Sequence, residues 1–166
     1  YSVVNEDLFQ LSSTHSRKTI LTAVLKRLED TSHELWECLA EGSLELRRLS
    51  NLYLLLLKHR LLREFITEVL LEERLRFRDT VARAEINNFF ERKYLQVPEV
   101  AAWSEATLKK SKNNILTICT DAGLLTVAAK GSFLIVSQFV PLTLRNLLVR
   151  SGHEILLPLL LDQRSG

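Results

Sequence analysis

The sequence predicts a mainly α-helical protein with a helical bundle over residues 1–75, followed by a winged helix-turn-helix over residues 76–166 that contains one β-hairpin. Three observations predict it. Leucine recurs at helical spacing through the first half. From Pro98 onward the order is a short helix, a capped basic helix, two β-rich runs joined by a glycine turn, and a final helix. A hydrophobic fraction of 46% with 25% charged residues supplies a packed core in a chain of 166 residues.

Ser13 or Ser16 can cap a first helix through about Asp30, with Ile20, Val24 and Leu28 on one stripe and Leu21 and Leu25 beside it. Ser32 caps a shorter helix carrying Leu35, Trp36 and Leu39, stopped near Gly42. Ser43 opens a long stretch in which Leu49, Leu52, Tyr53, Leu56 and Leu57 share a face. The pattern resumes as Leu61, Leu62, Phe65, Ile66, Val69 and Leu70. Lys58-His59-Arg60 marks a bend between two helices, because one helix spanning both runs would be exceptionally long for a small domain.

"EERLRFRD" (Glu72–Asp79) reads as a charged, solvated link. Asp79 or Thr80 is expected to cap a helix through Val81, Ile86, Phe89 and Phe90 to about Lys93. Pro98 suits the first residue of a short helix ending at Ala102. Ser104 then caps a helix that Gly123 ends. At about 100° per residue, Leu108, Ser111, Ile115, Ile118, Cys119 and Ala122 gather as a core face. Ala106, Lys109, Lys110, Asn113, Thr117 and Thr120 gather opposite, as an exposed face expected to carry no acid. After Gly123 the period changes: "LLTVA" and "FLIVSQ" are strand-like, and "AKGS" joins them with Gly131 available for a positive φ. Pro141 precedes a last helix, Leu142–Arg150, and Gly152 ends it.

Charge is distributed unevenly. From Ala106 to His153 there are six basic residues (Lys109, Lys110, Lys112, Lys130, Arg145, Arg150) and one acid, Asp121, against a total net charge of only +2. A basic helix followed by a hairpin is the arrangement by which winged helices meet duplex DNA. Lys109, Lys110, Lys112 and the hairpin-tip Lys130 are therefore expected to meet phosphates. Asn113 and Thr117 would face the groove, with Arg145 and Arg150 flanking. The first half also holds Arg47, Arg48, Lys58, Arg60 and Arg63. There Glu41, Glu45, Glu64 and Glu68 interleave, as helix-surface pairing does.

Other classes find little support. "LYLLLL" and "ILLPLLL" are far shorter than the roughly 20 apolar residues of a spanning helix. No signal-peptide pattern opens the chain, which contains no methionine and begins in mid-pattern at "YSVVNEDLF"; its start is expected further upstream. Cys38 and Cys119 fall at apolar helix positions, as buried thiols in a reducing cytosol do. His33-Glu34 lacks a second histidine four residues on. The four histidines are scattered, and neither a glycine-rich phosphate loop nor a GxSxG elbow occurs. The expectation is a non-enzyme without metal or cofactor.

Three stretches together resemble the BrxA proteins of bacterial BREX bacteriophage-exclusion systems. They are "SRKTILTAVLKRLEDTSHELWECLAEGSLELRRLSNLYLLLLKHRLLREFITEVL" (Ser16–Leu70), "INNFFERK" (Ile86–Lys93) and "WSEATLKKSKNNILTICTDAGLL" (Trp103–Leu125). The resemblance implies a small cytoplasmic, non-enzymatic protein of phage defence that binds double-stranded DNA beside other BREX proteins. It also implies a bundle like that of the antitermination factor NusB, joined to helix-turn-helix elements. Two alternatives accompany it: an adaptor holding other defence proteins through the leucine-rich bundle, and an RNA-binding antitermination-like module. The basic face carries no aromatic residue on which RNA bases could stack, which disfavours the second.

Overall fold

The computed structural model describes residues 31–161, together with Lys18 and Thr22, which are both helical. The rest of the expected first helix lies outside the described residues. The chain divides into two units, Tyr1–His33 and Glu34–Gly166. The second is mainly helical with a small antiparallel sheet, as the sequence predicts at that level.

Helix α1 (His33–Ala40) buries Leu35 and Cys38. It stops before Gly42, where a Cβ would collide with the Cys38 carbonyl and the Leu46 side chain, so close approach selects glycine there. Ser43 caps α2 (Leu44–Lys58), its Oγ accepting from Leu46 N–H at 3.2 Å. Leu49, Leu52, Tyr53, Leu54, Leu55 and Leu56 are all buried, which makes α2 the centre of the core. The expected bend is at His59, whose φ of −114° and ψ of 94° interrupt the helix before α3 (Arg60–Phe65). Arg63 stitches the bend by donating to the Leu56 and Leu57 carbonyls at the open end of α2.

Past α3 the helix widens into a π-helical segment, Ile66–Leu71, that no spacing in the sequence signals. Thr67 Oγ1 donates to the Arg63 carbonyl at 2.9 Å, sharing the acceptor that an α-helical ladder would offer Thr67 N–H. Helix α4 (Glu72–Leu75) continues it, so Glu72 and Glu73 do not lie on a link. Glu73 is buried rather than solvated, because Arg76 (2.7 Å) and Arg78 (3.2 Å) fold back onto its carboxylate.

Neither Asp79 nor Thr80 caps a helix. Thr80–Val81 forms strand β1, and the cap of α5 (Arg83–Gln96) is at Ala82, whose N–H donates to the Glu85 carboxylate. The β-branched pair is held because the far edge of the hairpin needs a partner: β1 pairs with β3 (Phe133–Ile135), which pairs with β2 (Leu125–Val127), giving the order β1-β3-β2. Helix α6 (Pro98–Ala101), helix α7 (Glu105–Asp121), the hairpin and helix α8 (Leu142–Arg150) follow in the expected order. The leucines after α8 fold as two 3-10 turns, Glu154–Leu156 and Pro158–Leu160. The second packs on the π-helical segment and on α2. Tyr53 Oη and His153 Nδ1, 2.6 Å apart, join α2 to the turn after α8. The unit Glu34–Gly166 thus includes residues from both sides of position 75.

Helix α5 lies against the first half through Phe89, whose ring meets Phe65 edge-on at 5.4 Å. Beside it, Lys93 Nζ reaches Glu64 Oε2 (2.8 Å) and Glu68 Oε1 (2.6 Å) over the Phe89 ring. Burial alone would lower the Lys93 pKa, yet its hydrogen bonds to both glutamates outweigh burial and raise it. Burial likewise would raise Glu64, but the bonds from Lys93 and Arg60 hold it below its ordinary value. Lys93→Met should cost about 2–3 kcal/mol in urea unfolding at neutral pH, because two carboxylates lose their ammonium. In the native protein the depressed Glu64 contributes stability above the unfolded carboxylate pKa and loses it as pH falls. In Lys93→Met, protonation of Glu64 instead relieves the charge left without its ammonium, so the difference between the two proteins should shrink as pH drops through the carboxylate range.

Candidate nucleic-acid interface

Helix α7 is defined at both ends by local chemistry. Ser104 Oγ accepts from Thr107 N–H at 3.2 Å, and at the other end Gly123 takes a φ of +82° while Leu124 N–H returns to the Cys119 carbonyl at 2.8 Å. Ile115, Cys119 and Ala122 anchor its inner face, with Leu108, Ser111 and Ile118 half-buried. Burial pushes the Cys119 thiol up to about 12, so it stays neutral, and Cys38 is buried as well. Both cysteines are free, as expected.

With the inner face anchored, Ala106, Lys109, Lys110, Asn113, Thr117 and Thr120 all point to solvent. No ion-pair partner for Lys109 or Lys110 occurs among the described residues. The face is not wholly free of acid. Asp121, four residues after Thr117, and Glu105, four before Lys109, are both exposed and lie at its two ends by the 3.6-residue period. Its positive charge is therefore concentrated in the second turn.

The other expected contacts are dispersed. Lys112 is half-buried, and its Nζ donates to Asn87 Oδ1 of α5 at 3.0 Å. Lys130 lies in the 3-10 turn Ala129–Gly131 between β2 and β3, where Gly131 takes a φ of +75°. Arg145 is half-buried on α8. Arg150 is exposed but pairs with Glu34 of α1 at 2.9 Å.

One basic residue comes to the hairpin without any local signal. Arg83, the first residue of α5, is exposed, and its Nε stands 3.8 Å from where a Cβ on Gly131 would be. Only the pairing of β1 with β3 brings it there. Tyr94, Leu95, Trp103 and Leu108, together with Glu91 and Glu105, line an open groove of about 430 Å³. Among the described residues no three His, Cys, Asp or Glu side chains are grouped to hold a metal ion. None of the described helices is long and apolar enough to cross a membrane.

Comparison with known proteins covers both halves of this arrangement. The family model described as BrxA matches residues 2–152. The BREX protein BrxA of Bacillus cereus (strain H3081.97) is 32% identical over 123 residues, which are 74% of this chain and 61% of that protein. The chain thus spans less than two thirds of that relative's length. The BREX protein BrxA of Escherichia coli O9:H4 (strain HS) is 25% identical over 163 residues, 98% of this chain and 75% of that protein. A crystal structure of an uncharacterized protein from Magnetospirillum magneticum shares the fold at a TM-score of 0.74 and 18% identity, over 93% of this chain and 79% of that one.

Proposed function

Because the chain belongs to the BrxA family, we propose that it serves a BREX phage-exclusion system in the cytoplasm as a non-enzymatic protein that binds duplex DNA. Its relatives' names supply the system. The observation that carries the binding is the exposed face of α7: Lys109 and Lys110 without ion-pair partners among the described residues, and Asn113 and Thr117 on the same side. In this reading α6, α7 and the β2–β3 hairpin act as a winged helix-turn-helix, and the leucine-rich helices act as a NusB-like bundle. Lys109 and Lys110 meet phosphates, Asn113 and Thr117 reach base edges, and the turn holding Lys130 lies along the adjacent backbone.

Fluorescence anisotropy of a labelled 30-base-pair duplex, titrated with the protein between about 50 and 200 mM salt, tests this directly. Affinity should fall with salt at a slope of about −0.9 per phosphate contact. Absence of duplex binding at the lowest salt, or stronger binding of a matched single-stranded RNA, overturns it. An adaptor role is the second reading, favoured by the groove beside Trp103, whose apolar side chains and two carboxylates suit a protein rather than a polyanion.

A further inference from the structure

We infer that Arg83 is a phosphate contact that carries the DNA path from α7 across the start of α5 to the hairpin turn. This rests on the duplex-binding reading above. Arg83 and Asn87 are four residues apart and therefore share one face of α5. The two ends of that stripe touch both parts of the interface. Asn87 Oδ1 receives Lys112 Nζ of α7 at 3.0 Å, and Arg83 Nε lies 3.8 Å from a Cβ position on Gly131. Helix, stripe and turn are thus contiguous, with a cation at the corner.

The neighbouring charges leave Arg83 available. Arg76 and Arg78 are held by Glu72 and Glu73. On α5 itself, Arg92 pairs with Glu68, and Lys93 with Glu64 and Glu68. Arg83 has no ion-pair partner among the described residues. The acid nearest in sequence, Glu85, is engaged by Ala82 N–H and lies 3.8 Å from Arg78. An exposed guanidinium with no ion pair of its own is well suited to grip a phosphate through two parallel hydrogen bonds. The hairpin turn beside it is built on a glycine at φ +75°, so an added side chain there would be strained, and the approach to Arg83 stays open.

The test is Arg83→Ala and Arg83→Lys in the full chain, titrated against the same 30-base-pair duplex across the same salt range. Arg83→Ala should bind more weakly by about tenfold or more at 100 mM salt, with the salt slope reduced by about 0.9. Arg83→Lys should keep the slope while losing part of the affinity, a rescue that a purely structural role would not produce. Melting curves of both variants should match the wild type. If Arg83→Ala retains wild-type affinity and slope, the inference is wrong while the duplex-binding reading stands. If the wild-type protein itself fails to bind, both fall together.

Discussion

Reversing two charges, Lys109→Glu with Lys110→Glu, should abolish duplex binding while the protein still folds. Both lysines are exposed on the second turn of α7 and have no ion-pair partner among the described residues, so the substitutions remove nothing from the core. Each charge-assisted contact to a phosphate is worth about 1.5–3 kcal/mol. Losing two therefore weakens binding by a factor on the order of a hundred or more, before repulsion by the new carboxylates is added. The salt slope should drop by about 1.8 as two released counterions disappear. Glu105 and Asp121 already flank the face, so reversal would leave it acidic from end to end. Anisotropy reads the affinity, and circular dichroism reads the fold. A double variant that binds like the wild type, with an unchanged slope, would move the interface away from α7 altogether.

Phe89→Ala should produce the largest loss of stability, about 3–5 kcal/mol in urea unfolding. The ring is fully buried, meets Phe65 at 5.4 Å and Phe90 at 5.2 Å, and lies beneath the Lys93 ammonium. Truncation leaves a cavity, removes two edge-on aromatic contacts and loosens the one buried cation on α5. Because α5 also carries Arg83 and Asn87, the variant should bind duplex more weakly than its folded fraction alone predicts. Exposed Tyr94→Ala, on the same helix, should cost well under half as much. Comparable losses for the two would mean that α5 is not seated through Phe89.

Much of the scaffold was legible because its signals are local. Ser43 and Ser104 cap helices, since a hydroxyl at that position satisfies an N–H that the helix leaves open. Gly123, Gly131 and Gly152 take positive φ, which a side chain resists. The run Lys58-His59-Arg60 breaks one long leucine pattern into α2 and α3, and the two faces of α7 follow from a period of 3.6 residues. In each case the deciding residues lie within a few positions of one another.

What escaped was decided by partners distant in the chain. Lys112 meets Asn87 and Lys93 meets Glu68 across 25 residues, while Arg150 meets Glu34 across 116. "EERLRFRD" reads as a solvated link because charge implies exposure unless paired, and the pairing of Glu73 depends on how Arg76 and Arg78 turn back. Thr80 and Val81 could have opened a helix, and they became a strand only because β3 had a free edge beside them. The amino-acid sequence by itself determined the helical class, the caps at Ser43 and Ser104, the glycine turns, the family, and the basic face of α7. Tertiary structure alone decided which cations stay free, because an ion pair forms wherever packing brings opposite charges together. It turned Lys112 and Arg150 toward partners, and it left Arg83 open beside the hairpin turn.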